Sequence, residues 1–432
     1  MKSLAIIGTG IAGLGCAHFL NRRFELSLYD QNSHAGGHSN TITVCEGEKL
    51  VPIDTGFMVY NEVTYPNLTR LFRDLAVETK PSCMSFSVQH VPSGLEYCGS
   101  SLNQLFSQRR NICNGRFIRM LLQISRFNRD AVEALQHSEV DGQTLGEYAS
   151  ARGYGQDFLD CYLLPMSSAI WSTPAAGMLE FPASTLLRFF HNHGFLGMYT
   201  QHPWRTVSGG SHSYVAKLVA PFRQKIRLKQ RVARVIRGSA GVKVVTESRE
   251  SENYDGVILA CHADQALELL DNPTPRERRL LGKFRYQPNR ATLHTDAAVM
   301  PRTQRAWASW NYRMDASGPG SADEAGAMRA STIYWMNRLQ GVSESENYFV
   351  SINDPGLVDP QKILNIIDYE HPIFTLDAIQ AQNDLPKLNR VEPDNGVFFC
   401  GSYFKYGFHE DALNSALGLC ALLLQEPLWK AA

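Results

Sequence analysis

The chain has 432 residues, 44% of them apolar, enough for a sizeable core and for two or three domains, or for one nucleotide domain with large insertions. Its 42 basic and 42 acidic residues cancel, which removes any global electrostatic case for nucleic acid binding. No run of about 18 apolar residues is present to span a bilayer, and the nine scattered cysteines contain no CxxC pair or zinc spacing, as expected of reduced thiols in a cytoplasmic protein with no metal site.

Lys2 to Ile7 reads as an apolar strand running into Gly8-Thr9-Gly10-Ile11-Ala12-Gly13. Helical spacing follows from Ala12 to Leu20, then a strand from Glu25 to Tyr29 that closes on Asp30 and Gln31. Strand, glycine turn, helix, strand and acid make a dinucleotide-binding unit. Gly8 permits the turn, Gly10 lets backbone approach a pyrophosphate, and Gly13 lets helix and strand pack. The helix N-terminus offers N–H groups to phosphate, and Asp30 stands where a carboxylate takes ribose hydroxyls.

The doublet Gly36-Gly37, followed by His38 and Ser39, reads as a second loop near the phosphates, with a strand after it at Thr41 to Val44. Val51 to Asn61 reads as a strand broken at Gly56, where backbone meets a ligand closely. Tyr65 to Val77 is helical. Residues 97 to 129 hold six arginines and no acid. They read either as core-packed helices with a solvated basic face or as a surface resting on anionic lipid. Residues 141 to 205 are mostly helical. Trp171 and the apolar run Leu186 to Tyr199 suit both a core and the wall of an apolar channel.

A helix is expected over Tyr214 to Ala220 and a strand over Arg227 to Arg237, with a hairpin partner at Val242 to Thr246. Tyr254 to Cys261 reads as a buried strand returning to the nucleotide sheet, and 264 to 283 as a helical connector. Residues 284 to 354 alternate in strand fashion, which predicts a second, antiparallel sheet with an exposed loop from Asp315 to Ala327. Val397 to Gly401 is a buried strand. Ser402 to Phe408 is a loop, and His409 to Leu424 a helix that brings the C-terminus back to the first glycine turn.

Together these pieces resemble the amine-oxidase and phytoene-desaturase class of FAD-dependent oxidoreductases, over residues 1–60, 205–262 and 396–424. The phrases from Gly36 to Thr41, Asp54 to Asn61, Met84 to Phe86 and Gly407 to Asp411 are most similar to a bacterial subgroup described as predicted NAD/FAD-binding proteins. That subgroup has relatives at the front of plant cyclopropane fatty acid synthases. The resemblance implies an α/β fold: a Rossmann-like FAD-binding domain of glutathione-reductase type (1–75, 205–283 and 390–432), with an inserted α+β substrate domain (76–204 and 284–389). It implies one FAD, held by Gly8, Gly10, Ile11, Ala12, Gly13, Asp30, Gln31, Gly36, Gly37, His38, Thr55, Gly56, Phe57, Val232, Gly401, Ser402, Phe408, Glu410, Asp411 and Ala412. His409 and Glu410 are the candidates for proton transfer, with Tyr60 beside the ring.

Three positions depart from the class. His38 replaces an arginine, Gly401-Ser402 replaces Gly-Asp, and Pro288 to His294 lacks the lysine that amine oxidases keep near the flavin. The expected function is oxidation of an apolar substrate, a fatty acyl chain or other lipid, with the electron acceptor left open. The alternatives are a flavin amine oxidase and a flavin-bearing accessory protein without turnover.

Overall fold

β1 (Ser3–Ile7) pairs in parallel with β2 (Glu25–Tyr29) on one side and with Gly256–Leu259 on the other. Ile226–Arg227 and Val397–Phe399 extend this sheet at its two edges, also in parallel, to five strands. Its central strands are buried on both faces, which is why they read as near-continuous apolar runs. α1 (Ile11–Leu20) leaves the glycine turn and packs on the C-terminal helix His409–Leu424. A Cβ at Gly15 would stand 3.1 Å from Leu413, so the two helices touch through that glycine. The computed structural model describes residues 1–429 except 138, 198–199, 240, 316–328 and 391–395.

The expected strand from Arg227 to Arg237 is two strands in two sheets. Ile226–Arg227 pairs with β2, the chain turns through Lys229 at φ 55, and Val232–Gly238 opens a three-stranded antiparallel sheet with Gly241–Thr246 and Ser251–Tyr254. β3 (Thr41–Glu46) and β4 (Lys49–Asp54) form a hairpin, and α2 (Pro66–Asp74) follows.

A seven-stranded sheet runs in the order 363–373, 285–294, 349–352, 329–335, 310–315, 86–90 and 95–98. It is mixed rather than antiparallel, because Trp310–Asp315 runs parallel to Phe86–His90. Ile363–Ile373 escapes the sequence reading because it is an edge strand, with Leu364 and Ile366 exposed. The helices Gly115–Gln136, Leu145–Ala151, Leu164–Trp171 and Ala183–Asn192 bury a separate aromatic core around Phe127, Phe158 and Phe190. The expected exposed loop lies outside the described residues beyond Asp315. No helix among the described residues is long and apolar enough to cross a membrane.

Candidate active site

A cavity of about 1730 Å³ runs from the glycine turn to the helix Gly115–Gln136. That exceeds the roughly 300–1,000 Å³ of an ordinary small-molecule site and leaves room for a dinucleotide and a second ligand.

The turn is shaped by contacts that forbid side chains. Gly8 has φ 101, and a Cβ there would stand 2.6 Å from the Ala260 carbonyl. One at Gly13 would stand 2.0 Å from the Gly8 carbonyl. Gly10 differs: nothing lies within 4 Å of its Cβ position, which faces the cavity. Gly10 caps α1 without a side-chain hydrogen bond, so the first-turn N–H groups remain available to an anion. Asp30 braces the turn. One carboxylate oxygen accepts from the Thr9 N–H at 2.9 Å and from the Thr9 hydroxyl, and the other accepts from the Asn32 N–H at 2.9 Å. Asp30 and Gln31 stay on the cavity wall, and a carboxylate with further lone pairs suits ribose hydroxyls. Beyond them Gln230, Arg231, Val232 and Ala233 close this end. Gln230 Oε1 is buried there with no hydrogen-bond partner, an acceptor suited to an adenine amino group. The donors, the open glycine and this orphaned acceptor fit a dinucleotide.

Gly37, His38, Gly56, Phe57, Gly401, Ser402, Phe408, His409 and Ala412 continue the wall with Ile11 and Ala12. His38 stacks on Tyr369 at 4.9 Å, and burial lowers its pKa well below the usual histidine value. It is therefore a neutral ring, not a cation, where the related class has arginine. The Gly401 N–H already donates to Ser415 Oγ at 2.9 Å, while the Ser402 hydroxyl makes no hydrogen bond to a described residue. His409 stacks on Phe57 at 3.9 Å, and burial takes its pKa down to about 3. An imidazole so displaced does not shuttle protons near neutrality.

Six expected site residues lie off the cavity wall. Glu410 turns to α2, where its carboxylate accepts from the Asn67 and Leu68 N–H groups at 3.0 and 2.9 Å. It caps that helix and takes no catalytic position. Asp411 accepts from the Phe408 N–H at 3.0 Å, capping its own helix. Tyr60 packs edge-on against Phe72 at 5.2 Å and is buried in the core. Thr55 bonds Tyr369 OH at 2.8 Å, tying β4 to the strand Ile363–Ile373. Gly13 and Gly36 serve the packing of the loops themselves, since a Cβ at Gly36 would meet the Ser39 carbonyl at 2.7 Å.

Past Phe408 the cavity becomes an apolar arm. Met166, Ile170, Trp171, Phe189 and Phe195 form one side, with Leu121 and Ile124 beyond them. Phe189 stacks on Phe408 at 5.0 Å, and the Trp171 indole donates to the Tyr406 carbonyl at 3.2 Å. Of the expected wall run, Phe189, Phe195 and Gly197 reach the arm, whereas Leu186, Leu187 and Phe190 are core. Met198 and Tyr199 lie outside the described residues. The other side is unforeseen: Met84, Ser85, Phe86, Trp310 and Tyr334 come from the seven-stranded sheet and the loop before it. No motif marks Trp310 or Tyr334; only strand alternation placed them on one face. Among the described residues no lysine lines the cavity.

The structure is similar to three solved proteins across 98% of this chain. They are a putrescine oxidase double mutant (TM-score 0.67, 13% identity, 99% of that chain), a conjugated-linoleic-acid-producing (CLA-producing) fatty acid isomerase from P. acnes (0.67, 12%, 98%) and cyclohexylamine oxidase from Brevibacterium oxydans (0.66, 14%, 99%). At these identities the likeness is one of fold. No curated protein sequence matches the chain. Residues 11–355 match the family of flavin-containing amine oxidoreductases, most of the chain's length. The chain therefore belongs to the flavin-containing amine oxidoreductase family, and it is an FAD-dependent oxidoreductase.

Proposed function

We propose that the enzyme takes a hydride from a C–H bond of an apolar acyl substrate, a fatty acyl chain or similar lipid. The arm carries this reading. Among the described residues, the stretches 83–128, 162–204 and 310–334 contribute no Asp, Glu, Lys or Arg to the cavity wall. An ammonium substrate placed there would lose its hydration without a counter-charge, whereas an acyl chain loses only its contact with water. FAD, when bound, supplies the hydride acceptor. The chain's part is to hold the reacting carbon, with Phe189, Phe408 and Trp171 packed around it, and to exclude water. The same fold serves a protein named a fatty acid isomerase. Each CH₂ buried in such an arm is worth about 0.8 kcal/mol. In a series of saturated fatty acids, Kd should fall about fourfold per added carbon until the arm is full. Perturbation of the flavin spectrum measures this, and a flat series would remove the arm from substrate binding.

The finer fold reading follows the sheets. Residues 1–75, 205–283 and 390–432 make a Rossmann-like FAD-binding domain of glutathione-reductase type, and 76–204 with 284–389 the substrate domain. In support, every strand of the parallel sheet falls in the first set and every strand of the seven-stranded sheet in the second. In the first domain Gly8, Gly10, Ile11 and Ala12 face the pyrophosphate, Asp30 and Gln31 the ribose, and Val232 the adenine.

The arm ends near the basic segment, where Leu102, Ile112 and Leu122 are exposed. Arg116 pairs with Asp157, and Arg126 and Arg129 with Asp130; of this segment's arginines, Arg109, Arg110 and Arg119 make no ion pair among the described residues, Arg109 and Arg110 donating instead to the Phe106 and Gly94 carbonyls. The proposal includes peripheral contact of this face with anionic lipid. About 1 kcal/mol per exposed arginine near such a surface predicts binding that is measurable at low salt and weakened by added salt. Sedimentation with phosphatidylglycerol vesicles checks it. Absence of binding at low salt would return the face to solvent.

A further inference from the structure

The His409 imidazole is held at one nitrogen by two hydroxyls. Its Nε2 lies 2.9 Å from Ser39 Oγ and 3.0 Å from Tyr214 OH, and the hydroxyl oxygens are 2.5 Å apart. Ser39 and Tyr214 are 2% and 0% exposed, and neither hydroxyl bonds to any other described residue. Phe57 lies flat on the ring at an interplanar angle of 13° and fixes its plane.

The protons of this closed triangle can be counted. The two hydroxyls bring two. If Nε2 is bare, one hydroxyl donates to the other and the second donates to Nε2, so every proton has an acceptor. If Nε2 carries hydrogen, three protons meet only two oxygens, and one hydroxyl proton is stranded in a buried place. Buried donors avoid that condition. The neutral ring must then hold its proton on Nδ1. That atom makes no hydrogen bond to a described residue, and His409 lines the cavity. Four ionisable groups stand close. Asp54 lies behind Tyr214 but spends its oxygens on Ser211, Thr41 and Gln340, and His38 turns to Tyr369. On its own helix Glu410 turns to α2 and Asp411 to the Phe408 N–H. None bonds the imidazole.

We infer that Ser39 and Tyr214 are positioning residues that lock His409 as its Nδ1–H tautomer, presenting a fixed N–H donor to the FAD. The ligand chemistry is an in-plane acceptor, a ring carbonyl or ring nitrogen. Placement favours the cofactor over the substrate. Ser39 belongs to the loop whose Gly37 would carry a Cβ 3.0 Å from Gly10 Cα, so the triangle is built on the pyrophosphate turn. His409 acts as a donor here, not as a proton shuttle.

The test uses the full chain with ¹⁵N-labelled histidine, the His409 resonances being assigned by their loss in His409→Phe. The expected spectrum has a protonated Nδ1 and a bare Nε2, unchanged between about pH 5 and about pH 9. Loading FAD without substrate should shift the Nδ1–H signal, and His409→Phe should lower the midpoint potential of bound FAD. In Ser39→Ala with Tyr214→Phe the lock is gone, so both tautomers should be populated, while the ring, still buried, should stay neutral over the same range. A protonated Nε2 in the wild type overturns the inference. So does an Nδ1–H signal that ignores FAD and moves only with an acyl ligand. No substrate enters the main arms, so this result stands apart from the acyl reading.

Discussion

Gly13→Ala is expected to destabilise the protein by about 1–3 kcal/mol and to lose the FAD, whereas Gly10→Ala should lose the FAD with the fold intact. The two glycines lie three residues apart and do different work. A methyl group at Gly13 would stand 2.0 Å from a backbone carbonyl and 3.3 Å from Ala260 Cβ, with no flexible side chain to yield. α1 must then move off the sheet, and the pyrophosphate turn moves with it. Gly10 has φ −68 and ψ 178, which any residue adopts, and open space at its Cβ position. Its methyl group meets only what enters the cavity. Urea unfolding of the apoproteins and flavin content of the purified proteins separate the two effects. Apo-stability of Gly10→Ala should stay within about 0.5 kcal/mol of wild type. Full flavin content in that variant would move the pyrophosphate elsewhere.

Acidification is expected to remove up to about 3 kcal/mol through each of His193 and His294. Both are buried, and burial lowers each pKa to about 4. The unfolded chain takes up protons below about 6.5, while the native histidines refuse them until about 4. Their contribution is therefore fully present above pH 6.5 and lost as pH falls through about 4. Geometry supports the sign. His294 Nδ1 accepts from the Asp296 N–H at 3.1 Å, so a second ring proton would point at a donor. In His193, Nδ1–H donates to the Phe189 carbonyl at 2.9 Å, and Nε2 lies 3.0 Å from the Thr64 hydroxyl, which itself accepts from Asn61. Asp411 opposes them. Burial pushes its carboxyl up to about 7, so its contribution is present below about pH 4 and lost as pH rises through 7. Unfolding free energies at several pH values should flatten on the acid side in His294→Gln and steepen there in Asp411→Asn. Parallel curves for wild type and His294→Gln would contradict the assignment.

What was legible in the sequence is what local rules determine. β1, α1 and β2, and the helix His409–Leu424, sit where apolar period and glycine spacing put them, because each is fully packed on the parallel sheet. In sequence, the motif Gly407 to Ala412 reads as a row of ligand contacts. A helix start turns successive side chains about 100° apart, so Phe408, His409 and Ala412 face the cavity while Glu410 and Asp411 face other partners. Tyr214 looked like an ordinary helical residue, and only the meeting of two loops and two helices gives its hydroxyl a role. The far wall of the arm was illegible for a different reason. Trp310 and Tyr334 reach it through pairing between strands far apart in sequence, which leaves no local trace.

Anaerobic mixing of the FAD-loaded protein with unsaturated or methyl-branched acyl lipids, and separately with simple amines, tests the account most directly. The charge-free arm predicts that the flavin absorbance bleaches with an acyl lipid and not with an amine. Bleaching by amines but not by lipids would contradict the substrate assignment, and no bleaching by either would make the protein a carrier of flavin without turnover.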